Sequence, residues 1–358
     1  MAGRGERLRV GLVGCGRMGR QYAQAFRVFP DCDLTALVEA HPERRLAMAR
    51  QYEVPHAYAS GREMLRELTP DLVSVVTPTR YTPGVVIQCA GAGVRAITAE
   101  KPVAGWLSHC DLMLAACRAS GVLFSGGNLQ RALPEVQETA GWLREGRLGC
   151  LEGAALRLGR ELSGGGVQGI SILRLFLGCD AVTVQAWASA QQEAREETDL
   201  CTLHGWIEFE NGIRCLVAPD GGEQRGLEVW GSRGAIRWDW GPPTWWSVPD
   251  AAGFRRPWPV EYSPYPYPEL GYLGSALRSV IGVLRGEAAL PLAISGEDLC
   301  IALEIALALK VSARRGGVPV RLPLQDRAQP LIPVPYRWLG GDTTGYRYPD
   351  GAGTALEP

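Results

Sequence analysis

Two spacings of apolar residues alternate along the first third of the chain. Leu8 to Val13 is a β-rich apolar run. After a glycine-rich break, Tyr22, Ala25, Phe26 and Phe29 recur at intervals that place them on one face of a helix. The stretch CDLTALVE predicts a second strand ending in Glu39, and a helix around 42–51 follows. SGREMLREL reads as another helix, Leu72 to Val76 as a buried strand, 83–92 as a helix, and VRAITAEKP as a further strand. Strands that alternate with helices predict a parallel, doubly wound α/β sheet with its ligand crevice at the carboxyl ends of the strands.

The break after the first strand is Gly14-Cys15-Gly16-Arg17-Met18-Gly19, a G-x-G-x-x-G with a strand before it and a helix after it. Gly14 permits the tight turn, Gly16 lets a pyrophosphate approach the backbone, and Gly19 allows helix and strand to pack closely. The helix N-terminus then offers its N–H groups to the phosphates. Glu39 stands near the distance at which a carboxylate accepts both ribose hydroxyls and repels a 2′-phosphate. That favours NAD over NADP, a preference that Arg44 and Arg45 just beyond would soften. Two more strand ends, Thr77-Pro78-Thr79 and Glu100-Lys101, converge on the same crevice.

Composition narrows the class. The 358 residues, 46% of them hydrophobic, are enough for two cores. A net charge of −1 marks neither a nucleic-acid nor a membrane-surface binder, so the expected partner is a small molecule. The ten cysteines form no C-x-x-C pair and no Cys/His cluster, so no metal site is expected. With no signal peptide and no membrane-length apolar run, the chain reads as cytoplasmic and reduced. Prolines crowd 242–268 and 319–335. The expected division is a dinucleotide-binding domain over 1–125, an α+β domain over 126–324, and a Pro/Tyr/Trp-rich tail over 325–358.

At AEKP a resemblance becomes specific. The glycine loop, VVTPT, GVRAITAEKPVA, GNLQRALP, GRLGCLEGA, VWGSRGAIRWD and ISGEDLCIALEIALALKVSARRGGVPVRLPL are similar, in order and spacing, to the Gfo/Idh/MocA family, the glucose–fructose oxidoreductase and inositol dehydrogenase group. The resemblance implies a Rossmann domain followed by an α+β domain with an open, mostly antiparallel sheet. It also implies a homodimer or homotetramer paired through that sheet. Short strands around 150–158, 182–190, 201–209, 213–218 and 227–239, then helices near 270–286 and 296–315, fit it. The tail runs past the family's usual end, either wrapping a neighbour or lying disordered.

In the family the lysine of E-K-P faces the nicotinamide, which makes Lys101 the main candidate for proton handling. The alternative is a structural lysine paired with Glu100. Pro102 is often preceded by a cis peptide in relatives. Sugar- and polyol-oxidising relatives also carry an acid–base pair after a glycine-rich loop. Counted back from Gly178, those places hold Gly164, Gly166, Gln168 and Ser171, and Leu151 to Cys179 contains no Asp, His or Tyr. Gln168 cannot change protonation state near neutral pH, and losing such a group costs about 10²–10⁴-fold in rate. Nominal substitutes are Tyr81, Arg160, Glu161 and His204, the last more readily a packed or surface histidine.

Asn128 and Arg131 match a substrate-facing segment, although Arg131 serves equally well as a structural brace. Trp238, Trp240, Trp245 and Trp246 offer either sugar stacking or hydrophobic packing. The first reading is an NAD(H)-dependent oxidoreductase on a sugar, cyclitol or related small carbonyl or hydroxy compound, with Lys101, Asn128, Arg131 and Gln168 meeting the substrate. The alternatives are an NAD-retaining lyase or glycosidase, a reductase of a conjugated, tetrapyrrole-like ligand, and a non-catalytic cofactor-binding sensor.

Overall fold

The structure is a computed structural model that describes residues 7–219 and 226–340. It divides into two compact units. The first takes in the chain up to Leu129, Tyr267–Cys300 and the segment from Pro333 on; the second comprises Gln130–Pro266 and Ile301–Ile332. The linear division expected at 125 and 324 therefore differs from the one observed, in which segments distant in sequence join the N-terminal unit. The part of the expected tail from residue 341 on lies outside the described residues.

In the first unit, β1 (Leu8–Val13), α1 (Arg17–Val28), β2 (Cys32–Val38), α2 (Pro42–Gln51), β3 (His56–Tyr58), α3 (Gly61–Glu67), β4 (Leu72–Val75), α4 (Thr82–Gly91), β5 (Ala96–Glu100), α5 (Leu107–Ala119) and β6 (Leu123–Gly127) follow in turn. The strands pair in parallel in the order β3-β2-β1-β4-β5-β6. The order reverses between β1 and β4, which opens the switch-point crevice at their carboxyl ends. Tyr22, Ala25, Phe26 and Phe29 are all buried, as their helical spacing predicts. α5 and β6 complete the sheet beyond the elements that the apolar pattern singles out.

The second unit begins with α6 (Pro134–Arg144) and β7 (Leu151–Leu158). A π-helical turn, Leu162–Gly166, leads into α7 (Val167–Leu177). Then come β8 (Ala181–Ala188), α8 (Gln191–Arg195), β9 (Leu203–Phe209), β10 (Arg214–Pro219), β11 (Gly226–Gly231), β12 (Gly234–Trp238) and β13 (Thr244–Ser247). α9 (Gly271–Arg285) belongs to the first unit, and α10 (Gly296–Arg314) carries the chain from the first unit to the second. β14 (Val320–Arg321) and α11 (Pro335–Trp338) close the described chain.

The sheet order is β13-β12-β11-β7-β10-β9-β8-β14, antiparallel except where β7 meets β10. α7 packs on β7 closely enough that a Cβ at Gly169 would lie 2.8 Å from Leu156. The period-2 pattern gives the other sheet face to Trp187, Trp206, Leu216 and Trp230.

α9 joins the first unit through its charges and its lead-in. Arg278 pairs with Asp31 at 2.5 Å, and Tyr267 meets the ring of Phe29 edge-on at 4.6 Å. Among the described residues no helix is long and apolar enough to cross a membrane.

Candidate active site

The glycine loop is shaped by what each glycine lacks. Gly14 sits at φ 103°, and a Cβ there would lie 2.3 Å from the Val76 carbonyl oxygen. At Gly19 a Cβ would lie 2.1 Å from the Gly14 oxygen. Gly16 differs, because nothing lies within 4 Å of its would-be Cβ. Gly14 and Gly19 thus close the turn, while Gly16 leaves a backbone-lined opening at the N-terminus of α1. Neither a side-chain cap nor an acidic residue occupies the first turn of that helix. This cradle fits a dinucleotide pyrophosphate. Cys15 is buried with its backbone N–H turned to Glu39, and Arg17 is exposed.

Glu39 closes the same site from β2. Its carboxylate accepts the Cys15 N–H and the His41 N–H, each at 3.0 Å, and only 2% of the residue is exposed. Each oxygen keeps acceptor capacity for a ribose hydroxyl. Burial, with Glu39 beside it, pushes the Cys15 thiol up and keeps it protonated. Arg45 donates to the Glu39 carbonyl oxygen at 2.7 Å, which turns its guanidinium toward backbone.

The loops after β4 and β5 carry further candidates. Thr77 and Thr82 share a hydroxyl hydrogen bond at 3.0 Å, and the Tyr81 N–H donates to the Pro78 oxygen at 2.9 Å. The Tyr22 hydroxyl donates to Glu100 at 2.8 Å. Burial raises the Glu100 pKa, against the pull of Tyr22, Lys101 and Arg337. The Lys101–Pro102 peptide is cis. Asn128, just past β6, is buried. Tyr81 is buried at the start of α4.

The remaining candidates lie in the second unit. Arg131 donates to the Ser171 carbonyl and, at 3.4 Å, to its hydroxyl, and so braces α7. Gln168 lies half-buried in the first turn of that helix. Gly178 ends α7 at φ 70°.

The turn that lacks an acid in its own sequence receives one from elsewhere. The Asp199 carboxylate accepts the Ser163 hydroxyl at 2.6 Å and the Ser163 N–H at 3.3 Å, and Asp199 is fully buried. Sequence reasoning missed Asp199 because nothing in EETDLCTL marks the residue as facing a turn 36 positions earlier.

Of the nominal substitutes, Arg160 pairs with Glu193 at 2.6 Å, and Glu161 lies where Leu200 bridges to it. His204 is exposed on β9 and shares a hydrogen bond with Ser189 at 3.0 Å. Trp245 packs against Trp142 and Trp258, and Arg147 lies over all three rings. Trp238 packs against Trp240, so these neighbours account for Trp238, Trp240 and Trp245 by internal packing, while the Trp246 indole N–H donates to the Thr244 hydroxyl at 3.4 Å. Among the described residues no group of three or more His, Cys, Asp or Glu is placed to hold a metal ion.

Residues 8–127 match the GFO_IDH_MocA model, described as an oxidoreductase family with an NAD-binding Rossmann fold. The chain is 27% identical to the myo-inositol 2-dehydrogenase of Thermotoga maritima, over 85% of this chain and 96% of the relative. It is 31% identical to the D-apiose dehydrogenase of Paraburkholderia graminis, over 40% of this chain and only 38% of that enzyme. The WlbA dehydrogenase of Bordetella pertussis, solved in complex with NADH and UDP-GlcNAcA, has the same fold. It superposes with a TM-score of 0.70 at 20% identity, covering 90% of this chain and 99% of that one. The stretch 8–127 thus matches the Gfo/Idh/MocA oxidoreductase family with its NAD-binding Rossmann fold, and the likeness to an inositol dehydrogenase runs almost end to end.

Proposed function

We propose that the protein is an NAD(H)-dependent oxidoreductase acting on a sugar, cyclitol or related small hydroxy or carbonyl compound. The observation that carries this is the cradle open at Gly16, with the anchored Glu39 carboxylate behind it. Glu39 accepts the ribose hydroxyls and disfavours a 2′-phosphate, which sets the preference for NAD. Thr77, Pro78, Thr79 and Glu100 shape the nicotinamide end. Bound NAD supplies a hydride acceptor when the substrate is an alcohol.

Lys101 takes the proton of the reacting hydroxyl and returns it in the reverse direction. Asn128 and Gln168 hold the substrate by contact, and Arg131 acts chiefly by holding α7. Asp199 fixes the glycine turn through Ser163. The relatives' printed activities, on myo-inositol and D-apiose, support a polyhydroxy substrate.

Lys101→Met is expected to abolish turnover in a screen of polyols and aldoses while leaving the NADH fluorescence titration unchanged. Full activity in that variant would sink the role given to Lys101. The chain further assembles as a homodimer or homotetramer through the open face of its second-unit sheet.

A further inference from the structure

The chain from Val334 to Gly340 runs as a strap along the loop after β4. Pro335 opens the short turn α11, and the bonds within that turn use the carbonyls of Val334 and Pro335. The carbonyls of Arg337 and Trp338, at its end, accept from the loop instead. The Thr79 N–H donates to the Arg337 oxygen at 2.8 Å, and the Arg80 N–H to the Trp338 oxygen at 3.4 Å. Both donors stand just ahead of α4, so the end of one helical turn satisfies the approach to the next helix. Thr79 is buried. The Trp338 ring meets Trp106, at the N-cap of α5, nearly edge-on at 5.3 Å. The strap is therefore fastened twice, by backbone to the loop after β4 and by an aromatic contact to the start of α5.

The loop held in this way abuts the glycine turn. The Val76 N–H donates to the Val13 oxygen at 2.8 Å. A Cβ at Gly14 would lie 2.3 Å from the Val76 oxygen and 3.3 Å from the Thr77 nitrogen. Backbone contact thus runs from the strap, through Thr79 and Arg80, along the loop to the turn that forms the cradle. We propose that residues 334–340 are a positioning element of the cofactor site: the strap sets the loop after β4 against the glycine turn, and its release weakens the hold on a dinucleotide. This rests on reading that crevice as the NAD(H) site. With the strap released, the Thr79 and Arg80 N–H groups lose their acceptors, and the loop must move to find others. A loop that is in place for only a fraction of the time lowers the apparent affinity by that fraction. Trp338 is the side chain that anchors the strap, so substitution can loosen it where the backbone bonds cannot be removed.

Coupling between two sites is reciprocal, so NADH holds the strap in turn. Hydrogen exchange of the full wild-type chain reads this at the amides of Arg337, Trp338 and Leu339, whose bonds lie within the strap. Saturating NADH is expected to slow their exchange about tenfold. This reading needs no variant, so it decides the matter even where a variant folds poorly. In full-length chains, Trp338→Ala and Trp106→Ala are each expected to weaken NADH binding about fivefold in a fluorescence titration. The double variant is expected to lose no more than either alone, because both remove one contact. A role in stability only would lower the melting temperatures while leaving NADH affinity and strap exchange unchanged, and that result overturns the proposal. So do additive losses in the double variant. A wild-type chain that binds no NADH overturns the dehydrogenase reading and the strap's role with it. A wild-type chain that binds NADH with unaltered strap exchange overturns the strap's role alone.

Discussion

Lys310 shows how one residue's chemistry departs from its type. It is fully buried on α10, its Nζ donates to the Thr198 carbonyl, and Asp199 and Cys201 act on it electrostatically. Burial lowers its pKa below 10.5, because removing water disfavours the ammonium. The unfolded chain therefore binds this proton more tightly than the native one. Native stability is expected to rise with pH from the lowered value up to 10.5, by about 1.4 kcal/mol for each pH unit between the two. Lys310→Met removes that gain. Urea unfolding of both proteins between pH 7 and pH 10.5 checks it, and parallel slopes would refute the assignment. The place of Lys101 just past the end of β5, by contrast, was legible in the sequence.

Among elements, the turn between β1 and α1 separates glycines that the packing requires from one that leaves the turn open. A Cβ at Gly19 meets backbone at 2.1 Å, so Gly19→Ala must displace the turn. It is expected to cost about 1–3 kcal/mol in thermal unfolding. At Gly16 a Cβ would meet nothing within 4 Å, and the backbone is extended at φ −74°, ψ −163°, which favours tolerance of Gly16→Val. Its melting temperature is expected to match the wild type, while NADH affinity in a fluorescence titration falls roughly tenfold or more. A Gly16→Val chain that still binds NADH normally would remove the opening from the proposed site. The motif already distinguishes these roles in sequence, because turn, approach and packing are each local requirements. The acid at the glycine-rich turn of the second unit is different. It arrives from a neighbouring segment, Asp199 pairing across to Ser163, and no local periodicity announces it.

For the molecule as a whole, the open sheet face is the feature left to explain. Leu216 is 60% exposed and Trp187 44%, with Trp206 and Trp230 on the same side. Large apolar side chains gathered on one face support the proposed association through it. If the wild-type chain sediments as a dimer or tetramer, Leu216→Asp is expected to shift it toward monomer in sedimentation velocity, with circular dichroism unchanged. A wild-type chain that sediments as a monomer would refute the assembly.

The sequence by itself determined the alternation of strands and helices, the parallel order they imply, the glycine cradle and the placing of Glu39 and Lys101. Each of these follows from periodicity or from a residue's own conformational freedom, which act within one element or one turn. Only the tertiary structure decided that Tyr267–Cys300 and the chain from Pro333 join the first unit, and that Asp199 meets Ser163. It also decided that Arg131 braces α7, and that the segment around Arg337 is bonded to the loop after β4. Those contacts close long loops, and their free energy depends on burial and charge assembled from distant segments, which no local spacing records.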